Sequence, residues 1–335
     1  MGEDIRPSMT SIRHISFAAR LEILFALQIC FMSIVAAQTD YDLGGQAGAA
    51  MRMGFGARGM AMANAMAAIS TDDGMGYYNP AIVPFQVHPS ALLSAGLLPF
   101  DRNLNFASYT SSIKPTGGFS LAVINSGVSK IQGRSVDGAP TEMYSTSENE
   151  FLLSFGVKVR PDFAIGVSPK ILYYSLFEGV KSTTVGFDLG VLYAPSDSWT
   201  VGVVVADINS KYKWDTSQLY GADGNTTIDR FPLRRTIAIC YSPGFLKGRV
   251  AGEVEWVGSV LISRVGAEVA NHENVTVRGG VDQIDFAGRV DCKPSIGFSL
   301  RTSVGSLAPT LDYGYVLEPY ATGGIHILSL RVSFE

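Results

Sequence analysis

The most constraining feature of this sequence is an alternation of apolar residues with small or polar ones, which recurs from about residue 90 to the last residue. In one such stretch, Val185, Phe187 and Leu189 alternate with Gly186 and Asp188. Side chains of a β-strand point alternately to its two faces, so each stretch is predicted to be a strand with one apolar face. About fourteen stretches of this kind follow one another. The chain beyond residue 90 is therefore predicted to be all-β.

The connections between these strands distinguish two architectures that share the alternation. A soluble sandwich or barrel turns its apolar faces inward, whereas a membrane barrel turns them outward. The links at 127–149 and 209–233 are long and polar, those at 160–162 and 195–198 are tight, and the two kinds alternate along the chain. This pattern predicts a transmembrane antiparallel β-barrel of about 14 strands, in contact with outer-membrane lipid. The strands are expected to begin near Ala91, Asn103, Gly118, Glu150, Phe163, Thr183, Trp199, Arg234, Arg249, Ser263, Asn274, Pro294, Pro309 and Gly324.

The polar face of the predicted strands is expected to line the lumen. It consists mostly of glycine, serine and threonine, with scattered charges of both signs. The alternation places Asp188 in the lumen and Leu189 against lipid. The charged residues assigned to the lumen, where cross-strand ion pairs are expected, are Glu253, Glu255, Arg264, Glu268, Arg278 and Arg301. Aromatic residues near strand ends, expected at the membrane interfaces, are Tyr173, Tyr174, Tyr193, Trp199 and Trp256.

The first 37 residues have the pattern of a signal peptide. Three arginines precede an apolar run at 23–35, and Val35-Ala36-Ala37 supplies the small residues that a signal peptidase reads. The run of about 13 residues is too short to span a bilayer as a helix. Residues 1–37 are thus predicted to be removed during export. Together with the predicted membrane barrel, this places the protein in the cell outer membrane. Cys240 and Cys292 would then be the remaining cysteines, and the sequence leaves open whether they pair.

A second segment, residues 38–89, lacks the strand alternation and is predicted to be a helical plug. Ala57, Ala61 and Ala65 recur at helical spacing. A slim helix of this kind has little large apolar surface, so it is expected to pack inside something else. We place it in the lumen of a barrel formed by residues 90–335. On these residues alone, a buried alanine-rich helix of a soluble protein is an alternative.

Three short motifs in the plug segment resemble the N-terminal signature of FadL-like and PorV/PorQ-like outer-membrane barrels. They are Arg58-Gly59-Met60-Ala61-Met62-Ala63, Asp72-Asp73 and Asn79-Pro80-Ala81. The final strand, which ends at Phe334, is similar to the C-terminal strand that barrel-assembly machinery recognises, although Glu335 follows the aromatic residue. The resemblance covers nearly the whole chain after residue 37. It implies a plug in the lumen of an outer-membrane barrel.

Two functions follow from this resemblance. The compact barrel and the ending around His326, Leu328 and Leu330 look more like the PorV/PorQ-like family, which implies a component of type IX protein secretion. The partners would then be secreted cargo proteins and other secretion components. The alternative is a FadL-like channel for uptake of hydrophobic small molecules. Under that reading, the predicted ligand contacts are the plug residues Met60, Met62, Met66, Tyr77, Tyr78, Asn79 and Pro80.

Composition and spacing argue against several other classes. The chain has 26 Lys and Arg residues against 30 Asp and Glu residues, without a basic cluster, so nucleic-acid binding is not expected. His88, His272 and His326 lack metal-ligand spacing, and we predict neither a metal nor a cofactor. Glu253 and Glu255 fit a luminal charge network better than an acid/base pair. The protein is therefore not expected to be an enzyme.

Overall fold

The structure, a computed structural model, describes residues 45–70, 75–177, 179–272, 274–288, 290–319, 321 and 323–335. The predicted signal peptide lies outside the described residues. Across these ranges, no helix is both long and apolar enough to cross a membrane. The helices are α1 (Ala57–Ala61) and α2 (Ser217–Tyr220), and 3-10 helical turns cover Ala50–Arg52, Pro80–Phe85 and Gly221–Asp223. The strands, numbered in chain order, are β1 (Ser90–Leu97), β2 (Arg102–Ile113), β3 (Gly117–Val128), β4 (Ile131–Arg134), β5 (Pro140–Tyr144), β6 (Ser147–Arg160), β7 (Phe163–Phe177), β8 (Val180–Ser196), β9 (Trp199–Ile208), β10 (Lys211–Asp215), β11 (Thr226–Arg230), β12 (Arg234–Tyr241), β13 (Gly248–Val257), β14 (Val260–His272), β15 (Val275–Ile284), β16 (Lys293–Arg301), β17 (Leu307–Val316) and β18 (Ile325–Phe334).

Fourteen of these strands form one closed barrel, and the predicted fold class is confirmed. Each barrel strand pairs antiparallel with the barrel strands next to it in the chain, and β1 pairs with β18 to close the ring. At that seam, Ser90 lies opposite Ser333 and Leu97 lies opposite His326. The hairpins β4–β5 and β10–β11 are separate two-stranded sheets. Closure lets the described barrel strands pair on both edges, as a bilayer requires.

The two rims of the barrel differ in the way that the loop lengths predict. Ser90 and Phe334 lie at the same rim as tight turns such as 161–162. The opposite rim carries the two hairpins, which form within the long links at 127–149 and 209–233. Because outer-membrane barrels have short periplasmic turns and longer extracellular loops, we assign the hairpin rim as extracellular. The sequence predicted the long links but not their folding into hairpins.

The exterior of the barrel is apolar. On β8, Leu189 is 45% exposed, whereas Asp188 on the luminal face is 4% exposed, so their predicted facing is confirmed. Other large apolar side chains exposed on the barrel wall include Phe151, Phe155, Val185, Phe187, Val265, Ile296, Phe298, Leu328 and Leu330. A closed antiparallel barrel with an apolar exterior is the architecture of an outer-membrane protein. The predicted outer-membrane location is confirmed by this fold.

One of the predicted luminal charges lies elsewhere. Arg301 is exposed at the periplasmic end of β16 and forms an ion pair with Glu335, so its assignment to the lumen was wrong. Alternation specifies the face of a strand, but at a strand end the side chain reaches the rim and solvent. The buried members of the predicted set are Glu253, Glu255, Arg264, Glu268 and Arg278.

The plug lies inside the barrel, and its helix is shorter than the alanine spacing predicts. After α1 the chain turns, because Ala63 and Asn64 have φ values of 55° and 61°. This left-handed conformation ends a helix, and asparagine tolerates it better than most residues. The Asn64 amide nitrogen donates hydrogen bonds to the Met53 carbonyl (3.2 Å) and to Asp282 Oδ2 on the wall (2.9 Å). Contacts with the wall thus replace further helical turns.

Glycines on the wall let the plug backbone lie directly against the strands. A Cβ at Gly202 would stand 2.2 Å from the Ala67 carbonyl oxygen, and one at Gly266 would stand 2.2 Å from the Met62 carbonyl oxygen. Real side chains do not tolerate such distances, so these positions require glycine. We call the wall glycines at which an added Cβ would stand less than 3.0 Å from a plug atom the glycine belt. Its members are Gly118, Gly156, Gly166, Gly190, Gly202, Gly266, Gly280, Gly297 and Gly314.

The lipid-facing assignment predicts the effect of an introduced charge. We expect Leu189→Arg to destabilise the barrel by about 2–4 kcal/mol, because it places the charge against the middle of the bilayer. Thr183→Arg is a matched control on the same face of β8, nearer the extracellular end, where the loss should be about 0–1 kcal/mol. Unfolding by guanidinium chloride after refolding into lipid vesicles measures both. Equal losses would contradict the assigned depths.

The glycine belt predicts that one added methyl group displaces the plug. Gly202→Ala should destabilise the protein by about 1–3 kcal/mol, because the methyl group meets plug backbone rather than a movable side chain. It should also raise the ion conductance of the protein in planar bilayers. Gly252→Ala is the control, since a Cβ there meets nothing closer than the Arg264 carbonyl oxygen at 3.8 Å. Unchanged stability and conductance in the Gly202 variant would show that the plug does not seal the wall there.

Candidate functional site

The plug is held by buried polar contacts with the wall. Arg58 of α1 forms an ion pair with Glu268 of β14, with 2.5 Å between Nη2 and Oε1. Beyond the helix, the Ala67 N–H donates to Glu253 Oε1 on β13 at 2.6 Å. Both wall carboxylates are buried. Charged wall residues therefore fix the first half of the plug.

Asn79 and Pro80 fix the second half. Asn79 is fully buried, and its amide nitrogen donates to the carbonyls of Ala67 (2.8 Å) and Val191 (3.1 Å). Its side-chain oxygen accepts from the Ala81 N–H at 2.9 Å, which caps the turn that begins at Pro80. The Pro80 backbone lies against the glycine belt. These contacts hold the second half of the plug segment against the wall.

Buried ion pairs continue along one side of the lumen. Lys170 Nζ lies 2.7 Å from Asp207 Oδ1 and 2.9 Å from Asp188 Oδ1. Arg234 bridges Asp207 and Glu255, at 2.8 Å and 3.4 Å. The predicted cross-strand ion pairs are thus present, and each of these buried charges has a partner of opposite sign. We call this set the charged arc; its members are Glu150, Lys170, Asp188, Asp207, Arg234, Glu253, Glu255, Arg264 and Asp282.

The other side of the lumen changes from hydroxyl to apolar toward the extracellular rim. Thr110 on β2 and Ser120 on β3 share a hydrogen bond of 2.8 Å between their hydroxyl oxygens. Nearer the extracellular ends of the same strands lie Phe106 and Ile124, both buried. The ring of Phe55 from the plug stacks on Phe106, with 5.5 Å between centroids. We call this cluster the apolar compartment; it contains Met51, Phe55, Met60 and Met75 of the plug with Leu92, Leu104, Phe106, Ile124, Leu152, Leu172, Val316, Ile325 and Ile327 of the wall.

Four aromatic side chains cover the extracellular end of the apolar compartment. This aromatic roof consists of Tyr174 on β7, Tyr212 and Trp214 on β10, and Phe231 after β11. Ring centroids lie 5.1 Å apart for Tyr174 and Tyr212, and 5.0 Å apart for Tyr212 and Phe231. Trp214 donates from its indole nitrogen to Asp229 Oδ2 at 2.6 Å, across the hairpin. The expectation that Tyr174 lies at the membrane interface was wrong, because its ring packs in this roof.

The structure divides the predicted plug contacts between two clusters. Met60 packs in the apolar compartment, and Tyr77 and Tyr78 pack against it, with 4.8 Å between the ring centroids of Tyr77 and Phe55 in an edge-on arrangement. Met62 and Met66 lie in a separate cluster with small residues of the plug, β9, β12 and β13. The reversal after α1 separates them from Met60. Met60 and Tyr77 thus share the apolar compartment, whereas Tyr78 packs against both clusters. Among the described residues, the cysteines are Cys240, which is buried, and Cys292, which is exposed, and both are free.

Sequence reasoning missed the wall residues and the roof. Phe106 lies on the luminal face of β2, but both faces of that strand mix apolar and polar residues, so alternation gave no signal. The roof residues Tyr212, Trp214 and Phe231 were within a predicted long loop. This link contains four large aromatic residues, the three of the roof and Tyr220, and so many in a polar link are a detectable sign that the link folds back onto the protein.

Solved structures share this architecture. The toluene transporter TodX of Pseudomonas putida is 12% identical, with a TM-score of 0.57 over 84% of this chain and 96% of its own. CymD, a monoaromatic hydrocarbon channel, is 13% identical, with a TM-score of 0.55 over the same shares. A FadL homologue of Pseudomonas aeruginosa is 13% identical, with a TM-score of 0.55 over 83% of this chain and 97% of its own. This chain has their fold. At this identity the likeness shows the fold alone.

Comparisons of the sequence gave no family assignment. No protein-family model matches the chain, and no curated protein matches it. The FadL-like part of the expected resemblance is supported by the solved structures, whereas the PorV/PorQ-like part has no such support.

The charged arc predicts a large loss of stability when its central cation is removed. Lys170→Met would leave Glu150, Asp188 and Asp207 buried around an apolar side chain, and we expect a loss of about 3–5 kcal/mol in the free energy of unfolding. Lys181→Met, at an exposed position on β8, is the matched control and should change little. Guanidinium chloride unfolding in vesicles tests both. A loss below about 1 kcal/mol for Lys170→Met would mean that the arc is hydrated.

Proposed function

We propose that this protein is an outer-membrane channel for small apolar molecules. The observation that carries the proposal is the apolar compartment, which runs from the aromatic roof down to α1 on the side of the lumen away from the charged arc. If the plug served only to close the lumen, polar contacts like those of the charged arc would be enough to hold it in place. An apolar, aromatic-lined site with few polar groups is instead typical of ligand pockets.

The aromatic roof would form the entrance. Trp214 and Tyr174 are partly exposed, whereas Tyr212 and Phe231 below them are 2% and 6% exposed. An apolar molecule arriving at the extracellular rim would therefore meet ring faces first and the buried compartment next. Aromatic pairs in edge-on contact can exchange one partner ring for another at small energetic expense. This favours small aromatic compounds as ligands.

Methionines make the compartment adaptable. Met51, Met60 and Met75 line it from the plug side, and their unbranched side chains can rearrange around a guest molecule. The wall side chains that face them, such as Ile124 and Ile327, are held on strands. Ligand entry would thus rearrange the plug side of the compartment and leave the wall unchanged.

The solved structures support this proposal more than a role in type IX secretion. Two of them are described as channels or transporters of monoaromatic compounds. The glycine belt also leaves no passage for a folded protein beside the plug. A secretion role rests on the sequence resemblance alone. An enzymatic role has less support, because the similar structures are channels and Glu253 and Glu255 are engaged in ion pairs.

Binding of toluene to the purified protein tests the proposal. Trp199→Phe with Trp256→Phe leaves Trp214 in the roof as the single fluorophore, and toluene should change its emission with a saturable dependence. In that background, Met60→Gln should weaken binding by about tenfold or more, because the buried amide lacks a partner in the compartment.

Met62→Gln is the matched control, since Met62 belongs to the other cluster and should leave toluene affinity within about twofold. Heat-modifiable migration on a gel verifies that each variant forms the barrel. Absence of saturable binding to the protein with Trp214 alone would refute the channel proposal. Equal affinities of the Met60 and Met62 variants would move the site out of the apolar compartment.

A further inference from the structure

Three asparagines form a polar ladder on the outside of the barrel. Asn105 of β2, Asn125 of β3 and Asn149 of β6 are directly opposite one another in the strand register. Asn105 Nδ2 donates to Asn125 Oδ1 at 3.2 Å, and Asn125 Nδ2 donates to Asn149 Oδ1 at 2.8 Å. These side chains share the outward face with Val123 and Phe151, which are exposed. Carboxamides on a lipid-facing wall are unfavourable unless they meet polar groups.

The asparagine ladder lies near the extracellular ends of its strands. Asn125 is three residues before Val128, where β3 ends. At about 3.3 Å per residue, this places the ladder roughly 10 Å below the strand end. Because the strands of such barrels are tilted and their apolar band is about 25 Å tall, shorter than the full span of β3, we place the ladder at the boundary between lipid heads and acyl chains. Polar groups of a lipid are therefore within reach of the ladder from one side, and acyl chains from the other.

A groove of about 390 Å³ begins at the ladder and opens to the exterior, with Asn105 and Asn125 in its lining. The register explains its shape. Across β18, β1, β2 and β3, one row of outward-facing residues consists of Leu330, Leu93, Ala107 and Val123. The next row toward the extracellular rim consists of Leu328, Ala95, Asn105 and Asn125. Ala107 and Ala95 are too small to fill the space between their larger neighbours. The result is an apolar slot bounded by leucine side chains and headed by two amides.

We propose that this groove binds one lipid of the outer leaflet. An acyl chain lies in the slot over Ala95 and Ala107, and the polar head hydrogen-bonds to Asn105 and Asn125. The occupant follows from the location, because the groove opens on the wall that faces the bilayer, where lipid is the available amphiphile. This inference does not depend on the proposed channel function, since the groove opens on the outer surface.

The lining also indicates which lipid heads fit. None of the described residues that line the groove is ionisable, so the site has no cation for a phosphate. Carboxamides both donate and accept hydrogen bonds, which suits hydroxyl and amide groups. The expected ligand is a lipid whose head presents such groups, as an acylated amino sugar does. Phosphatidylethanolamine of the same chain length should bind more weakly.

Native mass spectrometry of the delipidated barrel tests the site. After incubation with an N-acylglucosamine lipid, we expect one lipid per barrel, retained at least about tenfold better than phosphatidylethanolamine, a ratio worth about 1.4 kcal/mol. Ala107→Trp fills the slot and should lower retention of both lipids by about tenfold or more. Val277→Trp, at an exposed position on the wall strand β15, is the matched control and should retain lipid as the wild type does.

A second variant separates the polar ladder from the slot. Asn125→Leu is compatible with a lipid-facing wall, so it should assemble even if Ala107→Trp does not. It should lose the preference between the two lipids while it still retains one acyl chain. Equal retention by the Ala107 and Val277 variants would overturn the proposed slot. The role of the ladder would be overturned if Asn125→Leu still preferred the N-acylglucosamine lipid over phosphatidylethanolamine. It would also be overturned if the wild type showed no such preference.

Discussion

Direct contact between plug backbone and wall backbone is the constraint on which this structure depends. A plug with one short helix exposes many carbonyl and N–H groups, and inside a membrane barrel these groups must find partners in the protein. The glycine belt lets the plug backbone approach the strands closely enough for the carbonyls of Ala61 and Ala68 to accept hydrogen bonds from the hydroxyls of Ser295 and Thr200 on the wall. A high glycine content, 36 of 335 residues, is therefore a packing requirement of the wall as well as of the turns.

Two kinds of contact hold the plug, one on each side of the lumen. The charged arc holds one side of the plug through directed contacts that have few alternative arrangements. The apolar compartment packs the other side through non-directional contacts, several of them from methionine. A movement of the plug on the apolar side would exchange similar contacts, whereas a movement at the arc would separate buried charges. The plug is thus anchored on one side and adaptable on the other.

The sequence predicted the barrel better than its contents. Alternation specified strands and their facing, as at Asp188 and Leu189, because lipid requires the same kind of residue outside every strand. The extent of the helix was wrong, since Ala63 and Asn64 reverse the chain through contacts with the wall that spacing does not reveal. The same reversal separates Met60 from Met62, two predicted neighbours. Phe106 was missed because its strand carries apolar residues on both faces.

The seam between β1 and β18 has a consequence for biogenesis. It joins residues that are distant in the chain, such as Ser94 and Ser329, which are 235 positions apart and share a hydrogen bond of 2.8 Å. Such distant pairing forms late, because the whole intervening chain must first be ordered. A wall that fits the plug this closely leaves no clearance for threading it in afterwards. We therefore expect the plug to lie in the lumen before β1 and β18 pair and close the barrel.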